Sequence, residues 1–152
     1  MNHAINVTDS DGNTAQHLAC REGNVTCIHQ LIRYGADVDA RDSEAAATQP
    51  HVAAFLNHDN CVKTLVNKYA ATVDARNMCG GTPLHVAALS GSLDVIEFLV
   101  CHRKANVYSV DCRGRTVLDC AVELKQLACV RELLKAVQGE LEYDLEYKPY
   151  LM

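Results

Sequence analysis

A short phrase returns every 34 residues in this chain, and that period constrains the fold before anything else does. Its fullest form is Gly81-Thr82-Pro83-Leu84-His85-Val86-Ala87-Ala88-Leu89-Ser90-Gly91. Upstream stand Thr48-Gln49-Pro50-His51-Val52-Ala53-Ala54 and Thr14-Ala15-Gln16-His17-Leu18-Ala19-Cys20; downstream comes Thr116-Val117-Leu118-Asp119-Cys120-Ala121. Thr14, Thr48, Thr82 and Thr116 are evenly spaced, as are His17, His51, His85 and Asp119. A period of roughly 20–50 residues marks an array of stacked units, none of which can bury its apolar face alone.

Each unit reads as a turn, a short helix, a turn, a longer helix and an exit loop. In the third, Gly80-Gly81 makes the turn and Thr82 caps a helix whose first position is Pro83, where a missing N–H costs nothing. Gly91 stops that helix. A second helix follows from Leu93 to about Val100, with Val95, Ile96, Leu99 and Val100 on one face. The first unit repeats the scheme with a helix to Glu22, Gly23 as its stop, and a second helix from Val25 to Tyr34.

On these residues the chain resembles the ankyrin-repeat family. Thr82-Pro83-Leu84-His85-Val86-Ala87 is similar to that family's Thr-Pro-Leu-His-x-Ala signature, and Gly35-Ala36-Asp37-Val38-Asp39-Ala40 to its hairpin strand. The resemblance covers residues 4 to about 137. It implies an all-α solenoid of stacked helix-turn-helix units with connecting β-hairpin loops. The expected organisation is a hairpin remnant at 1–8, repeats at 9–41, 42–76, 77–110 and 111–137, and an acidic, tyrosine-rich tail at 138–152. The Ala4-Ile5-Asn6-Val7 remnant suits either a fragment or a truncated first unit.

The departures from the pattern carry information. The second repeat has Ala45-Ala46-Ala47 where a glycine-bearing turn belongs, and its proline, Pro50, sits one place further in, which predicts a shortened or distorted helix. Asn57-His58-Asp59 replaces its glycine stop. One extra residue is needed near Ser43-Glu44, and one more in each exit at Lys68–Thr72 and His102–Ala105. In the fourth repeat Asp119 replaces histidine and Glu123-Leu124-Lys125-Gln126 replaces the stop, so this unit reads as a cap.

Composition excludes several functions. A net charge of -5 argues against non-specific nucleic-acid binding. No apolar run approaches the ~20 residues of a membrane span. The N-terminus lacks the basic start and apolar core of a signal peptide, which points to the cytosol or nucleus. The eight cysteines form no Cys-x-x-Cys pair, so no metal or cofactor is expected. Cys27, Cys61 and Cys129 share one repeat position, Val95 in the third unit, and with Cys20 and Cys120 are predicted to fill the core. Cys79, Cys101 and Cys112 are predicted to be exposed. His17, His51 and His85 are predicted to brace the turns beside their threonines, and no catalytic motif appears, so the chain is read as a non-enzyme.

The resemblance implies binding of another protein on the concave face. Two adjacent positions at the end of each first helix face solvent in the family. Here they are Arg21-Glu22, Phe55-Leu56, Leu89-Ser90 and Glu123-Leu124. Phe55, Leu56, Leu89 and Leu124 would align as an apolar strip across three repeats. The alternative is that the irregular second repeat turns Phe55 or Leu56 inward. The hairpin tips add Met78 and four arginines; Arg41, Arg76, Arg113 and Arg115 would form a basic rim suited to acidic or phosphorylated segments, or stand as ordinary solvated side chains. As little more than four repeats, with an irregular second one at Thr48-Gln49-Pro50-His51, the chain also resembles the ankyrin-only inhibitors of cyclin-dependent kinases, which implies a kinase or other signalling protein as partner. A scaffold fragment or an inhibitor of a transcription factor is the alternative. The tail alternates Leu141, Tyr143, Leu145 and Tyr147, which suits an extended segment that either caps the last repeat or serves as a docking motif.

Overall fold

The structure is a computed structural model and describes residues 3–147 apart from residue 104. After a 3-10 turn at His3–Asn6 the chain forms four helix pairs. They are α1 (Ala15–Arg21) with α2 (Val25–Arg33), α3 (Gln49–Phe55) with α4 (Asp59–Lys63), α5 (Pro83–Ser90) with α6 (Leu93–Glu97), and α7 (Val117–Glu123) with α8 (Leu127–Tyr147). Among the described residues there is no strand, only an isolated bridge between Val110 and Thr116. The architecture is an all-α solenoid, as the period predicts.

Each pair is entered through a hairpin turn held by one carboxylate or amide. Oδ1 of Asp9, Asp42, Asn77 and Asp111 accepts two backbone N–H groups of its own turn. A backbone bond then closes the turn, from Asp9 to Asn13, Asp42 to Ala47, Asn77 to Gly81 and Asp111 to Arg115. The second turn spans one residue more than the others, which locates the insertion expected near Ser43-Glu44. Gly12, Gly80 and Gly114 hold the left-handed position of their turns; in the second turn Ala46 holds it, at φ 51°. A side chain there costs about 1–2 kcal/mol. Asn57 and Lys125 likewise adopt the left-handed conformation that Gly23 and Gly91 supply elsewhere.

The units are joined by imidazoles. Nδ1 of His17, His51 and His85 accepts from the backbone N–H and hydroxyl of Thr14, Thr48 and Thr82. That leaves the proton on Nε2, which donates forward to the carbonyl of Ala47 (3.1 Å), Gly81 (2.9 Å) and Arg115 (3.1 Å) in the next turn. In the last unit Asp119 accepts the Thr116 N–H at 2.9 Å but has no donor to send forward. Around this polar seam the core packs Cys20, Ala53, Ala54, Cys61, Leu65, Leu84, Ala87, Val95, Leu99 and Cys120, all fully buried.

Several expectations need correction. Pro50 neither shortens nor distorts its helix: α3 has seven residues, as α1 and α7 do. It lies within the first turn, where the N–H it lacks would have no intrahelical partner. The two extra exit residues are absorbed inside the second helices, as π-turns at Thr64–Lys68 and Phe98–His102. The closing bonds show it, since Ala36 reaches back five residues to Leu31 whereas Ala71 reaches six to Leu65 and Ala105 six to Leu99. Cys27 is exposed, not buried with Cys20, Cys61, Cys120 and Cys129. Its position is covered in later units by the preceding pair, and among the described residues no helix pair lies on that side of the first. The tail is helical through Tyr147 as a continuation of α8, not extended. Leu and Glu are good helix formers, and that propensity outweighs the alternation. Residues 148–152, including Tyr150, lie outside the described residues.

Ala46→Gly should raise the chemical denaturation midpoint by about 0.5–1 kcal/mol of stability, because relief of left-handed strain exceeds the added chain entropy. A lowered midpoint would show that the strain is absent. Burial holds the pKa of His51 and of His85 below the usual histidine value. Both are therefore neutral in the fold, and their contribution is full above the unfolded value of about 6.5. It declines as pH falls from there toward their lowered folded values, because the unfolded chain takes up the protons. Urea midpoints from pH 7.5 to 5 should fall more steeply for the native chain than for a His51→Gln/His85→Gln variant; parallel slopes would refute the assignment.

Candidate functional site

A cleft of about 630 Å³ opens where the second unit meets its neighbours, lined by Arg21, Glu44, Ala45, Ala47, His51, Val52, Phe55, Leu56, Asn77 and Val86. The fold places each contribution. Val52 and Val86 follow the bracing histidines of α3 and α5 and present half-buried faces to the turns. The longer second turn supplies one wall, and its small Ala45 and Ala47 leave the space open. Asn77 begins the third turn opposite. Phe55 and Leu56 end α3 at the mouth, 60% and 40% exposed, so neither is turned inward to fill its own unit. Arg21 closes the near end from α1. The floor is aliphatic, with a cation and a carboxylate at the rim, which suits an apolar side chain carried on a polar backbone.

The geometry gathers only part of the expected strip. Leu89 is half-buried and packs on the core, while Leu124 is exposed at the end of α7 and does not line this cleft. The basic rim is largely committed to the fold. Arg41 Nη1 donates to the carbonyls of Ala46 (2.8 Å) in its own turn and Arg76 (2.5 Å) in the next unit. Arg76 repeats the arrangement one unit on, with Gly80 at 3.1 Å and Val110 at 2.6 Å. These two guanidiniums are staples between turns. Arg115 pairs with Asp111 at 3.0 Å and Glu123 at 2.9 Å, and its pKa is raised, chiefly by the hydrogen bond it donates to Glu123. Arg113 is exposed and, among the described residues, makes no side-chain contact of this kind. Met78 is 65% exposed, and its N–H bonds the Ala45 carbonyl at 2.8 Å.

His51 lines the cleft, yet both of its nitrogens are taken, by Thr48 and by Gly81. It has no lone pair or proton left for a substrate. Among the described residues no group of three or more His, Cys, Asp or Glu side chains could hold a metal, and no helix is long and apolar enough to cross a membrane. Sequence reasoning missed Val52, Val86, Ala45, Ala47 and Asn77. The available signal was the 34-residue spacing of Val52 and Val86, each directly after a bracing histidine.

A second hollow, about 430 Å³, lies on the outer side of the first pair between α1 and α2, lined among others by Leu18, Cys27 and Leu31. It opens over Cys27 and Leu31, whose counterparts Cys61, Val95, Leu65 and Leu99 are fully buried in the second and third units.

Comparison with known proteins agrees with this geometry. The family model for ankyrin repeats (3 copies) matches residues 1–77 and 51–144. The tyrosine-protein kinase HTK16 of Hydra vulgaris is 32% identical over 120 residues, which is 78% of this chain and 16% of that protein. Neurogenic locus notch homolog protein 1 of Xenopus tropicalis is 30% identical over 148 residues, 97% of this chain and 6% of that one. The E3 ubiquitin-protein ligase KEG of Arabidopsis thaliana is 34% identical over 136 residues, 86% of this chain and 8% of that protein. The chain thus spans a small part of the length of the curated relatives it matches. A period of 34 residues, four helix pairs joined by forward-reaching imidazoles, and these matches agree: the chain belongs to the ankyrin-repeat family and is a protein–protein interaction module.

Proposed function

We propose that the chain is a non-catalytic recognition module of the small adaptor or regulator kind. Its binding centre is the cleft around Phe55 and Leu56, and it receives an apolar side chain from an exposed segment of another protein. The observation that carries this reading is the exposure of Phe55. A phenyl ring 60% exposed, beside a half-exposed leucine and above an aliphatic floor, gives up apolar surface to water that a partner would cover. Covering what remains exposed of that ring and leucine is worth about 1–2 kcal/mol each, since full burial of such side chains is worth about 1.5–3 kcal/mol. Aromatic anchors at the centre of a contact usually carry most of its energy. Arg21 at the near end favours a carboxylate next to the anchor in the partner segment. Leu124, Met78 and Arg113 would then be outer contacts, whereas Arg41, Arg76 and Arg115 serve the scaffold first.

Within that class, the resemblance to the ankyrin-only kinase inhibitors makes a protein kinase the first partner to try, with a cytosolic or nuclear setting. The irregular second unit supports this choice, since its longer turn is what forms the cleft wall.

The reading is tested by panning a phage-displayed peptide library on the native chain and measuring the selected peptides by calorimetry. Peptides should share a large apolar residue, and Phe55→Ala should weaken them at least tenfold while moving the denaturation midpoint by less than about 1 kcal/mol. Equal affinity for the variant would place the site elsewhere. Unfolding of the variant would show that Phe55 belongs to the core.

A further inference from the structure

The tips of the third and fourth hairpin turns each carry a free, exposed cysteine, Cys79 and Cys112. The two are neighbours in space despite the repeat between them, because the Cys112 N–H donates to the Cys79 carbonyl at 3.0 Å. Gly80 makes that approach possible. It sits at φ 73°, and a β-carbon added to it would lie 2.9 Å from the Cys112 nitrogen. One N–H···O bond of this length, with standard backbone dimensions on either side, sets the two α-carbons roughly 5–6 Å apart, within the ~4.4–6.8 Å span of a disulfide. The preceding junction has the same bond, from the Met78 N–H to the Ala45 carbonyl at 2.8 Å, but no thiol on either side.

The other cysteines are set apart by place. Cys20, Cys61, Cys120 and Cys129 are buried, and burial pushes each of these thiols up, which keeps them protonated and unreactive. Cys27 and Cys101 are exposed but lie on α2 and on the second π-turn, away from the turn tips.

We propose that Cys79 and Cys112 are a redox-active pair that closes into a disulfide across the third and fourth turns, with a small-molecule disulfide such as oxidised glutathione as the oxidant. The thiolate of one cysteine attacks a glutathione sulfur, breaks its S–S bond and releases one glutathione thiolate. The thiolate of the second cysteine then attacks the protein sulfur of that mixed disulfide and releases the other. One protein S–S bond forms and two protein S–H bonds are lost. Two electrons pass to the oxidant, and the two protons end on the released glutathione thiols. The link clips the last two units together on the turn side, where the forward-reaching His85 already joins them. It does not depend on the cleft having a partner, and it reverses under reduced glutathione.

The test equilibrates the full chain, in a Cys27→Ser/Cys101→Ser background, with glutathione buffers of increasing oxidised fraction, followed by acid quenching, alkylation and peptide mapping by mass spectrometry. The expected product is a Cys79–Cys112 linked peptide in a monomer two hydrogens lighter, lost again in excess reduced glutathione. Adding Cys79→Ser should leave Cys112 carrying a single glutathione. Two separate glutathione adducts on Cys79 and Cys112, a link between chains, or thiols that stay free at the most oxidising ratio would each overturn the proposal.

Discussion

The nitrogens of each bracing imidazole are committed to two different units, and the stack depends on that division. Nδ1 of His17, His51 or His85 is fixed by its own threonine, so Nε2 must carry the proton, and it donates to a carbonyl of the next turn. One interaction therefore sets the tautomer, caps a helix and fixes the register between units. The carbonyls it meets already accept the bond that closes their own turn, so local and inter-unit structure are coupled at one atom. Satisfying the buried imidazole matters more than the strength of the bond itself, because an Nε2–H left unpaired in the core would cost about 1–3 kcal/mol.

Secondary contacts reinforce the same axis. The side chains that begin the second helices reach back one unit: His58 meets the Arg21 carbonyl at 3.1 Å and Gln126 the Leu89 carbonyl at 3.3 Å. Both pass over a glycine, Gly23 and Gly91, where a β-carbon would fall within 3 Å of them. On the turn side Asn6, Asp39 and Asp74 each accept a backbone N–H from the following exit loop, at Asp37, Thr72 and Asn106. The Asn6 bond draws the N-terminal segment into the same pattern.

Periodicity made the architecture legible because stacking demands the same residue type at the same place in every unit. Threonine and histidine positions, helix order and the number of inserted residues could all be counted. What could not be counted was where an insertion is absorbed. A surplus residue in a loop and a π-turn in a helix give the same sequence length, and packing of Leu65 and Leu99 against the core decides between them. Nor could a repeat position say what its neighbours were. Cys27 shares its place with the buried Cys61 and Cys129, but among the described residues no preceding pair covers it. Arg41 and Arg76 looked like surface charge because their acceptors are backbone carbonyls, which no side-chain identity announces. The cleft was half legible for the same reason: Phe55 and Leu56 stand out as apolar residues at solvent-facing positions, whereas Ala45, Ala47 and Asn77 matter only for the space they leave.

The irregular second unit keeps every inter-unit bond while changing its surface. Its longer turn is still closed by Asp42, its left-handed position is still filled, now by Ala46, and His51 still reaches Gly81. Arg41 still binds the carbonyl of the left-handed residue and the next unit. The deviation therefore falls on loop length and on which side chains face water, and stacking is untouched. Phe55 stands 60% exposed at the end of α3, outside the hydrogen bonds that join the units. Separation of this kind lets a repeat array change its surface without changing how it folds, and the proposed cleft lies where the pattern is broken and the hydrogen bonds are not.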